Sequence, residues 1–83
     1  MRLDKFLKVS RIIKRRSVAN EVCDLGKITV NDRPAKASHR VAKGDVVSVT
    51  FGERTERYRV LSVAEVSGKD AAREMYESIG ARD

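Results

Sequence analysis

The sequence predicts an α+β fold, in which two short N-terminal helices pack on a small, mostly antiparallel sheet and a further helix follows at the C-terminus. Three observations support this prediction. Apolar residues recur at helical spacing in the first 25 residues, alternate with polar residues in short runs between residues 27 and 63, and return to helical spacing after residue 67. The 83 residues suffice for one domain. We expect residues 1–66 to form the helices and the sheet with its hairpin, and residues 67–83 to form the last helix of the same globule.

The predicted first helix has an apolar stripe at positions i, i+3 and i+4, formed by Leu3, Phe6 and Leu7. A basic connection over residues 10–16 follows, and its two isoleucines are expected to be buried. Ser17 is the predicted N-cap of the second helix, and Gly26 stands where a helix C-terminal glycine is common. The apolar side of the second helix is expected to consist of Val18, Ala19, Val22, Cys23 and Leu25.

Strands are predicted where short apolar-rich runs are bounded by turn residues. Ile28 and Val30 alternate with polar residues before a turn at Asn31-Asp32, and Pro34 fits only an edge strand or an irregular segment. Residues 46–51 and 58–63 are expected to pair as a hairpin. The C-terminal helix is predicted to end at Gly80, and its apolar stripe consists of Ala71, Ala72, Met75, Tyr76 and Ile79.

The charge of the chain is unevenly distributed. The net charge is +6, and residues 1–43 contain twelve Lys and Arg against four Asp and Glu, whereas residues 44–83 contain six against eight. This asymmetry indicates a polyanionic partner.

One cysteine and one histidine exclude an internal disulfide and a structural zinc site, and no cofactor is expected. The sequence contains no signal-peptide pattern and no apolar run of membrane-spanning length, so we expect a cytoplasmic protein without a membrane partner.

Seven cations fall within the first sixteen residues and are opposed by one acid, Asp4. Lys and Arg that neutralise closely spaced phosphates release counterions, which favours RNA binding; the alternative is a solvated face that only keeps the protein soluble. Asp4 is predicted to pair with Arg11 or Arg15 and to orient that arginine. Cys23 is predicted to be a small buried hydrophobe, and His39 is predicted to be an ordinary loop residue rather than an RNA contact.

Spaced residues in the first half of the chain carry a family resemblance: Arg2-Leu3-Asp4-Lys5-Phe6-Leu7, Arg11, Lys14, Arg16, Ala19, Gly26, Val30-Asn31, Lys36, Ser38, Val41 and Gly44-Asp45. Together they resemble the S-four (alpha-L) RNA-binding domain over about residues 2–50. The resemblance implies the S-four fold, with an RNA surface formed by Arg2, Lys5, Arg11, Lys14, Arg15, Arg16 and Lys36. Asp32 departs from the family pattern, because it replaces the glycine that is usual after Val30-Asn31.

The layout of the whole chain is similar to stand-alone bacterial proteins of the RqcP (YabO) type and, more distantly, to the fifteen-kilodalton heat-shock protein. The similarity rests on Lys14-Arg15-Arg16, on the hairpin and on Glu74-Met75-Tyr76. It implies a non-enzymatic protein that binds obstructed large ribosomal subunits through large-subunit rRNA and P-site peptidyl-tRNA. It also implies cooperation with an RqcH-type tail-synthesising factor, which adds C-terminal alanine to stalled chains. We expect a monomer.

Three alternatives stay open on the sequence. The chain could be a ribosome rescue or assembly factor of the heat-shock type, which binds rRNA or tRNA without a role in tailing. An enzyme is the second alternative, because this kind of domain is often appended to pseudouridine synthases and tRNA synthetases; the sequence, however, lacks a catalytic constellation. The third is a chaperone or assembly factor that contacts protein through the terminal helix.

Overall fold

The computed structural model describes residues 1–64 and 68–82. In chain order the elements are α1 (Leu3–Val9), α2 (Arg16–Asp24), β1 (Ile28–Val30), β2 (Arg33–Pro34), β3 (Val46–Phe51), β4 (Arg54–Val60), α3 (Lys69–Arg73) and β5 (Tyr76–Arg82). None of these helices has the length and apolar character needed to cross a membrane. The presence of both helices and strands confirms the predicted α+β fold class.

The five strands form one sheet in the order β2-β1-β3-β4-β5, and each neighbouring pair is antiparallel. Asn31 and Asp32 join β1 to β2 with φ angles of 53° and 66°, the left-handed conformation that a tight hairpin turn requires at both central residues. Asp32 thus adopts a left-handed conformation that favours glycine, and Asp tolerates it better than most residues do. Pro34 lies on the edge strand β2, as predicted.

The hydrophobic core joins the two N-terminal helices to the sheet. From α1 it takes Leu3, Phe6 and Leu7, which are completely buried, and from α2 it takes Ala19 and Cys23. The sheet contributes Ile28, Val30, Val47, Val49 and Val60. Ile13 of the α1–α2 connection is buried and Ile12 packs against the core, so the expectation for the two isoleucines is largely confirmed.

Helix α2 differs from its prediction at its start and in the width of its buried face. It begins at Arg16 rather than after Ser17, and the extended residue Arg15 is the N-cap. Val18 and Leu25 were expected to be buried but are 40% and 69% exposed, because the stripe that faces the core is narrow and centres on the i, i+4 pair Ala19 and Cys23.

The end of α2 follows the prediction. The amide of Gly26 donates to the Cys23 carbonyl at 2.9 Å, and the amide of Lys27 donates to the Val22 carbonyl at 3.2 Å. This is the Schellman arrangement, which needs a left-handed residue after the helix, and Gly26 supplies it with φ 75°.

The hairpin of β3 and β4 turns earlier than predicted. Strand β3 occupies residues 46–51 as expected, but β4 begins at Arg54, because Gly52 and Glu53 alone form the turn. Gly52 has φ 62°, which permits so tight a connection. Just beyond the turn, the hydroxyls of Thr50 and Thr55 lie 3.1 Å apart across the two strands.

The prediction of a C-terminal helix ending at Gly80 is wrong. Helix α3 is only five residues long, and residues 76–82 form strand β5, which pairs with β4. Without β5 the backbone of β4 would present an unpaired edge, and that long-range pairing outweighs the helical spacing of the apolar residues. Gly80, with φ 116°, is also unsuited to a helix. Residues 67 and 83 of the predicted helix lie outside the described residues.

The side chains assigned to that helix nevertheless reach the core. Met75 is 1% exposed and Ala72 is equally buried, while Tyr76 packs against the core with its ring edge-on to Tyr58. The ring centroids lie 5.3 Å apart at an interplanar angle of 89°, which is a favourable aromatic geometry. Met75 and Tyr76 therefore pack against the core that the N-terminal helices and the sheet share.

Met75 provides a test of that packing. Met75→Ala should lower the free energy of unfolding by about 2–5 kcal/mol, because it removes a fully buried side chain and leaves a cavity. Ser78→Ala, at an exposed position of β5, should change it by less than about 0.5 kcal/mol. Urea denaturation followed by circular dichroism measures both values. Equal, small effects would mean that the C-terminal segment does not contribute to the core.

Candidate nucleic-acid interface

The start of α1 is held by the chain segment that precedes β3. Its first two amides donate to backbone carbonyls of that segment: Leu3 to His39 at 2.7 Å, and Asp4 to Ala37 at 3.2 Å. Arg2 and Arg40 form an isolated antiparallel bridge beside these bonds. The bonds satisfy amides that have no partner within a helix, and they bring the backbone next to Lys36 and Arg40 close to Arg2.

The carboxylate of Asp4 lies at the centre of the polar contacts in this region. Its side chain is only 2% exposed. Arg2 donates to it from Nε at 3.2 Å and from Nη2 at 3.4 Å, and Arg16 donates from Nη2 at 3.3 Å, with its Nε 3.2 Å from the second oxygen. The Lys5 amide at 2.9 Å and the Asn20 side-chain amide at 3.1 Å complete the set. Asp4 therefore joins the residue before α1 to the first two turns of α2.

Asp4 was predicted to orient an arginine, but its partners are not Arg11 or Arg15. Both of those residues lie in the connection between the helices, beyond the end of α1 or before the start of α2. Arg2 and Arg16 are the residues that the helix packing places beside the buried carboxylate, and the side chains of both remain about half exposed, at 45% and 48%. Two guanidinium groups are thus held at the surface by one internal acid.

The pKa of Asp4 reflects two opposing effects. Burial raises it, because the charged form loses hydration, while hydrogen bonds from Arg16, Arg2 and the Lys5 amide lower it, and the lowering prevails. The pKa of Asp4 therefore lies below its ordinary value of 3.8. The carboxylate is ionised at neutral pH, and its charge offsets one of the two arginine charges around it.

The seven residues that the sequence analysis assigned to an RNA surface fall into two groups rather than along one side of two helices. Arg2, Arg16 and Lys36 lie near the start of α1, with Lys5 half-buried on the helix. Arg11 and Lys14 lie beyond its other end, where they line a groove between the α1–α2 connection and α3. Arg15 is exposed at the N-cap position of α2. In the sequence it stands between Lys14 of the second group and Arg16 of the first.

The second group contains cations that the sequence analysis did not assign to the site. The groove, hereafter the basic groove, has a volume of about 660 Å³, and its charged lining consists of Lys8, Arg11, Lys14, Lys69 and Arg73. Lys69 and Arg73 come from α3, far along the chain from the other three. Their spacing of four residues, which places both on one face of a helix, was the signal available in the sequence.

Two further predictions concern single residues. Cys23 is buried, and burial raises the pKa of its thiol to about 11, with smaller contributions from Asp4 and Asp24. The prediction of a buried hydrophobe is confirmed. His39 is an exposed loop residue whose carbonyl caps α1 and whose amide donates to the Lys36 carbonyl at 2.9 Å.

The S4 domain family matches residues 1–47, which include α1, α2, β1, β2 and the segment that caps α1. The chain belongs to the S4 domain family. It is 49% identical over 77 residues to a protein of Halalkalibacterium halodurans named "RQC P-site tRNA stabilizing factor", covering 93% of this chain and 88% of the relative. It is also 49% identical to a Bacillus subtilis protein of the same name, covering 92% of this chain and 88% of that protein.

Solved structures of similar proteins agree with the S4 fold. A trimeric structure of Vibrio cholerae heat shock protein 15 superimposes with a TM-score of 0.86 at 28% identity, and covers 94% of this chain and 80% of that one. The solution structure of a hypothetical protein gives a TM-score of 0.81 at 29% identity, covering 96% of this chain and 98% of that one. The similarity in fold to these two structures thus extends beyond the residues that match the S4 domain family.

Asp4 is expected to stabilise the fold through its ionised form. Because its pKa is lowered on folding, its contribution is fully present above about pH 3.8 and is lost as pH falls through the lower folded-state pKa. Asp4→Asn should lower the free energy of unfolding at pH 7 by about 1–3 kcal/mol, since charge-assisted hydrogen bonds are lost.

The matched control is Asp24→Asn, which removes the same charge at an exposed position of α2 and should change stability by less than about 0.5 kcal/mol. Urea denaturation at pH 7 and at pH 3 measures both effects. The difference between Asp4→Asn and the unsubstituted chain should shrink at pH 3. A difference that grows on acidification would contradict the assignment.

Proposed function

We propose that this chain is a cytoplasmic RNA-binding protein of bacterial ribosome-associated quality control, which binds large ribosomal subunits obstructed by P-site peptidyl-tRNA. The observation that carries the proposal is the pair of half-exposed arginines, Arg2 and Arg16, fixed by one buried carboxylate in a protein whose relatives are named for stabilising P-site tRNA. A guanidinium group has five N–H donors. Each of these two arginines uses Nε and Nη2 toward Asp4, which leaves the Nη1 donors for a phosphate.

Preorganisation is the physical advantage of this arrangement. A free arginine loses side-chain conformational freedom when it binds a phosphate, and that loss weakens binding. Here the hydrogen bonds to Asp4 restrict Arg2 and Arg16 before the RNA arrives. One carboxylate against two guanidinium groups still leaves a local charge of +1, to which Lys36 and Arg40 add at the same end of α1.

The mechanism in this proposal is binding, without a bond being made or broken. The RNA surface consists of Arg2, Lys5, Arg11, Lys14, Arg15, Arg16 and Lys36, and it contacts both large-subunit rRNA and tRNA. By holding the tRNA against the rRNA, the protein supports C-terminal alanine addition by an RqcH-type tail-synthesising factor. The rRNA contact and the role in tailing rest on the sequence resemblance. A monomer is the expected state, although the similar Vibrio cholerae protein forms a trimer in its structure.

Charge reversal at Arg16 tests the RNA surface. Arg16→Glu should abolish co-sedimentation with obstructed large subunits at physiological salt, because it turns the local charge around Asp4 from +1 to −1. Arg15→Glu is the companion variant: Arg15 is exposed at the N-terminus of α2, where an acidic residue suits the helix dipole and folding is retained. It should weaken co-sedimentation about tenfold or more.

The matched control is Lys43→Glu, which makes the same change of charge at an exposed turn before β3. It should sediment like the unsubstituted chain, and circular dichroism should show Lys43→Glu and Arg15→Glu folded. Unchanged sedimentation of both arginine variants would refute the proposed surface. An equal loss in all three would mean that only the net charge matters.

A rescue or assembly factor of the heat-shock type is the second candidate, favoured by the superposition on heat shock protein 15. RNA and proteins crosslinked to the tagged chain in cells distinguish the two. Large-subunit rRNA with tRNA and the tail-synthesising factor would support the quality-control proposal. Ribosomal RNA without that factor would support the second candidate.

A further inference from the structure

The basic groove lies where the α1–α2 connection meets α3, at the opposite end of α1 from Asp4. Five cations line it, and none of the described residues that line it is acidic. Helix α3 contains Asp70 and has Glu74 at its C-cap, but neither acid contributes to the lining. Cations that converge without a carboxylate repel one another, so an anion in the groove would lower their electrostatic energy.

The backbone at Arg11 is strained. Its φ angle is 64°, a left-handed conformation that costs a residue other than glycine about 1–2 kcal/mol. Both N-terminal helices end with a left-handed residue directly after the C-cap, but α2 uses Gly26 there whereas α1 uses Arg11. The turn geometry alone therefore favours glycine at position 11. A charged side chain that lines the groove stands there instead, at a cost to the fold.

Part of the groove lining is apolar and packed into the protein. It includes Val9, which packs against the core, and Ala72, which is buried. Tyr76 also lines it, and its ring is fixed edge-on against Tyr58. A lining that combines exposed cations with apolar and aromatic groups suits a nucleic-acid strand, whose phosphates can meet the cations while its sugars and bases meet the apolar groups.

We propose that the basic groove binds the backbone of an RNA strand, with Lys69 and Arg73 of α3 contacting phosphates together with Lys8, Arg11 and Lys14. The proposal rests on the proposed function in that it takes the partner to be RNA. It extends the interface beyond the residues that match the S4 domain family, because the match ends at residue 47 and α3 lies outside it. The C-terminal extension then contributes both to the core and to RNA binding.

The salt dependence of RNA binding tests the groove. The probes are purified unfractionated tRNA and protein-free large-subunit rRNA. For each, the slope of log K against log salt concentration should fall in magnitude by about 1 for every cation that loses a phosphate. The double variant Lys69→Gln with Arg73→Gln should therefore reduce the slope by about 2 on the RNA that occupies the groove. Affinity at 0.15 M salt should fall roughly 30-fold if both contacts are purely electrostatic.

Two controls accompany the double variant. Lys69→Arg keeps the charge in the groove, and Lys43→Gln removes one charge outside it; both should keep the slope of the unsubstituted chain. The variants change exposed positions of α3 and of a turn, so urea denaturation should give unchanged stability. Arg11→Gly gives an independent measurement, because it relieves the strained backbone while removing a cation. It should bind RNA more weakly, with a slope smaller by about 1, without losing stability.

The outcomes separate this proposal from the proposed function. If the double variant keeps the slope on both RNAs, the groove proposal is overturned, even when the unsubstituted chain sediments with obstructed large subunits. If the slope falls as expected but the unsubstituted chain does not sediment with those subunits, the groove binds RNA and the proposed function fails. Failure of the unsubstituted chain to bind either purified RNA overturns the groove proposal directly.

Discussion

The buried carboxylate of Asp4 is the interaction on which both the fold and the candidate interface depend. A carboxylate taken out of water is costly unless charged donors surround it, and the chain provides two guanidinium groups and two amide donors. Those donors come from the residue before α1, from α1 and from α2. The same hydrogen bonds therefore fix how the two helices meet and hold Arg2 and Arg16 at the surface. The contacts that stabilise the packing of the two helices are thus the same contacts that hold the two arginines at the surface.

The two halves of the chain, which differ in net charge, also differ in how their cations are paired. In the C-terminal half, Arg54 pairs with Glu56, and Arg59 of β4 pairs with Glu77 of β5. These cations are matched by acids of their own hairpin and strand pair. The described ion pairs of Arg2 and Arg16 run to Asp4, not to acids of the C-terminal half. The N-terminal cations thus keep an excess of positive charge at the surface.

The sequence predicted those features that depend on local patterns. The stripe of Leu3, Phe6 and Leu7, the glycine end of α2, the turn at Asn31-Asp32 and the edge position of Pro34 are all recognisable within a few residues. The C-terminal helix was predicted too long, because the spacing of its apolar residues suits a helix, while residues 76–82 pair with a strand edge that no local pattern reveals. Sequence reasoning cannot weigh such a pairing without knowing which edge is free.

The candidate site also combines features that local sequence patterns predict with features that depend on the folded chain. That an arginine would pair with Asp4 followed from composition, but which arginine depends on how the helices pack, and the predicted candidates, Arg11 and Arg15, were not the partners. Lys69 and Arg73 were missed because the distance along the chain hides their approach to Lys8 and Lys14. Short-range patterns identified the family and most of the basic residues. Only the folded chain showed that they divide into two groups.

The two groups have a consequence for the kind of RNA that this chain can recognise. Helix α1 has seven residues and is about 10 Å long at 1.5 Å per residue, so the groups at its ends are separated by a fixed, short distance. Contacts between cations and phosphates position a protein but do not read base sequence. The arginines beside Asp4 are also constrained by it, which limits their freedom to follow a base edge. In the proposed interface, two cationic groups a short distance apart favour recognition of the path of an RNA backbone, as a folded tRNA or an rRNA helix presents it, over recognition of a sequence.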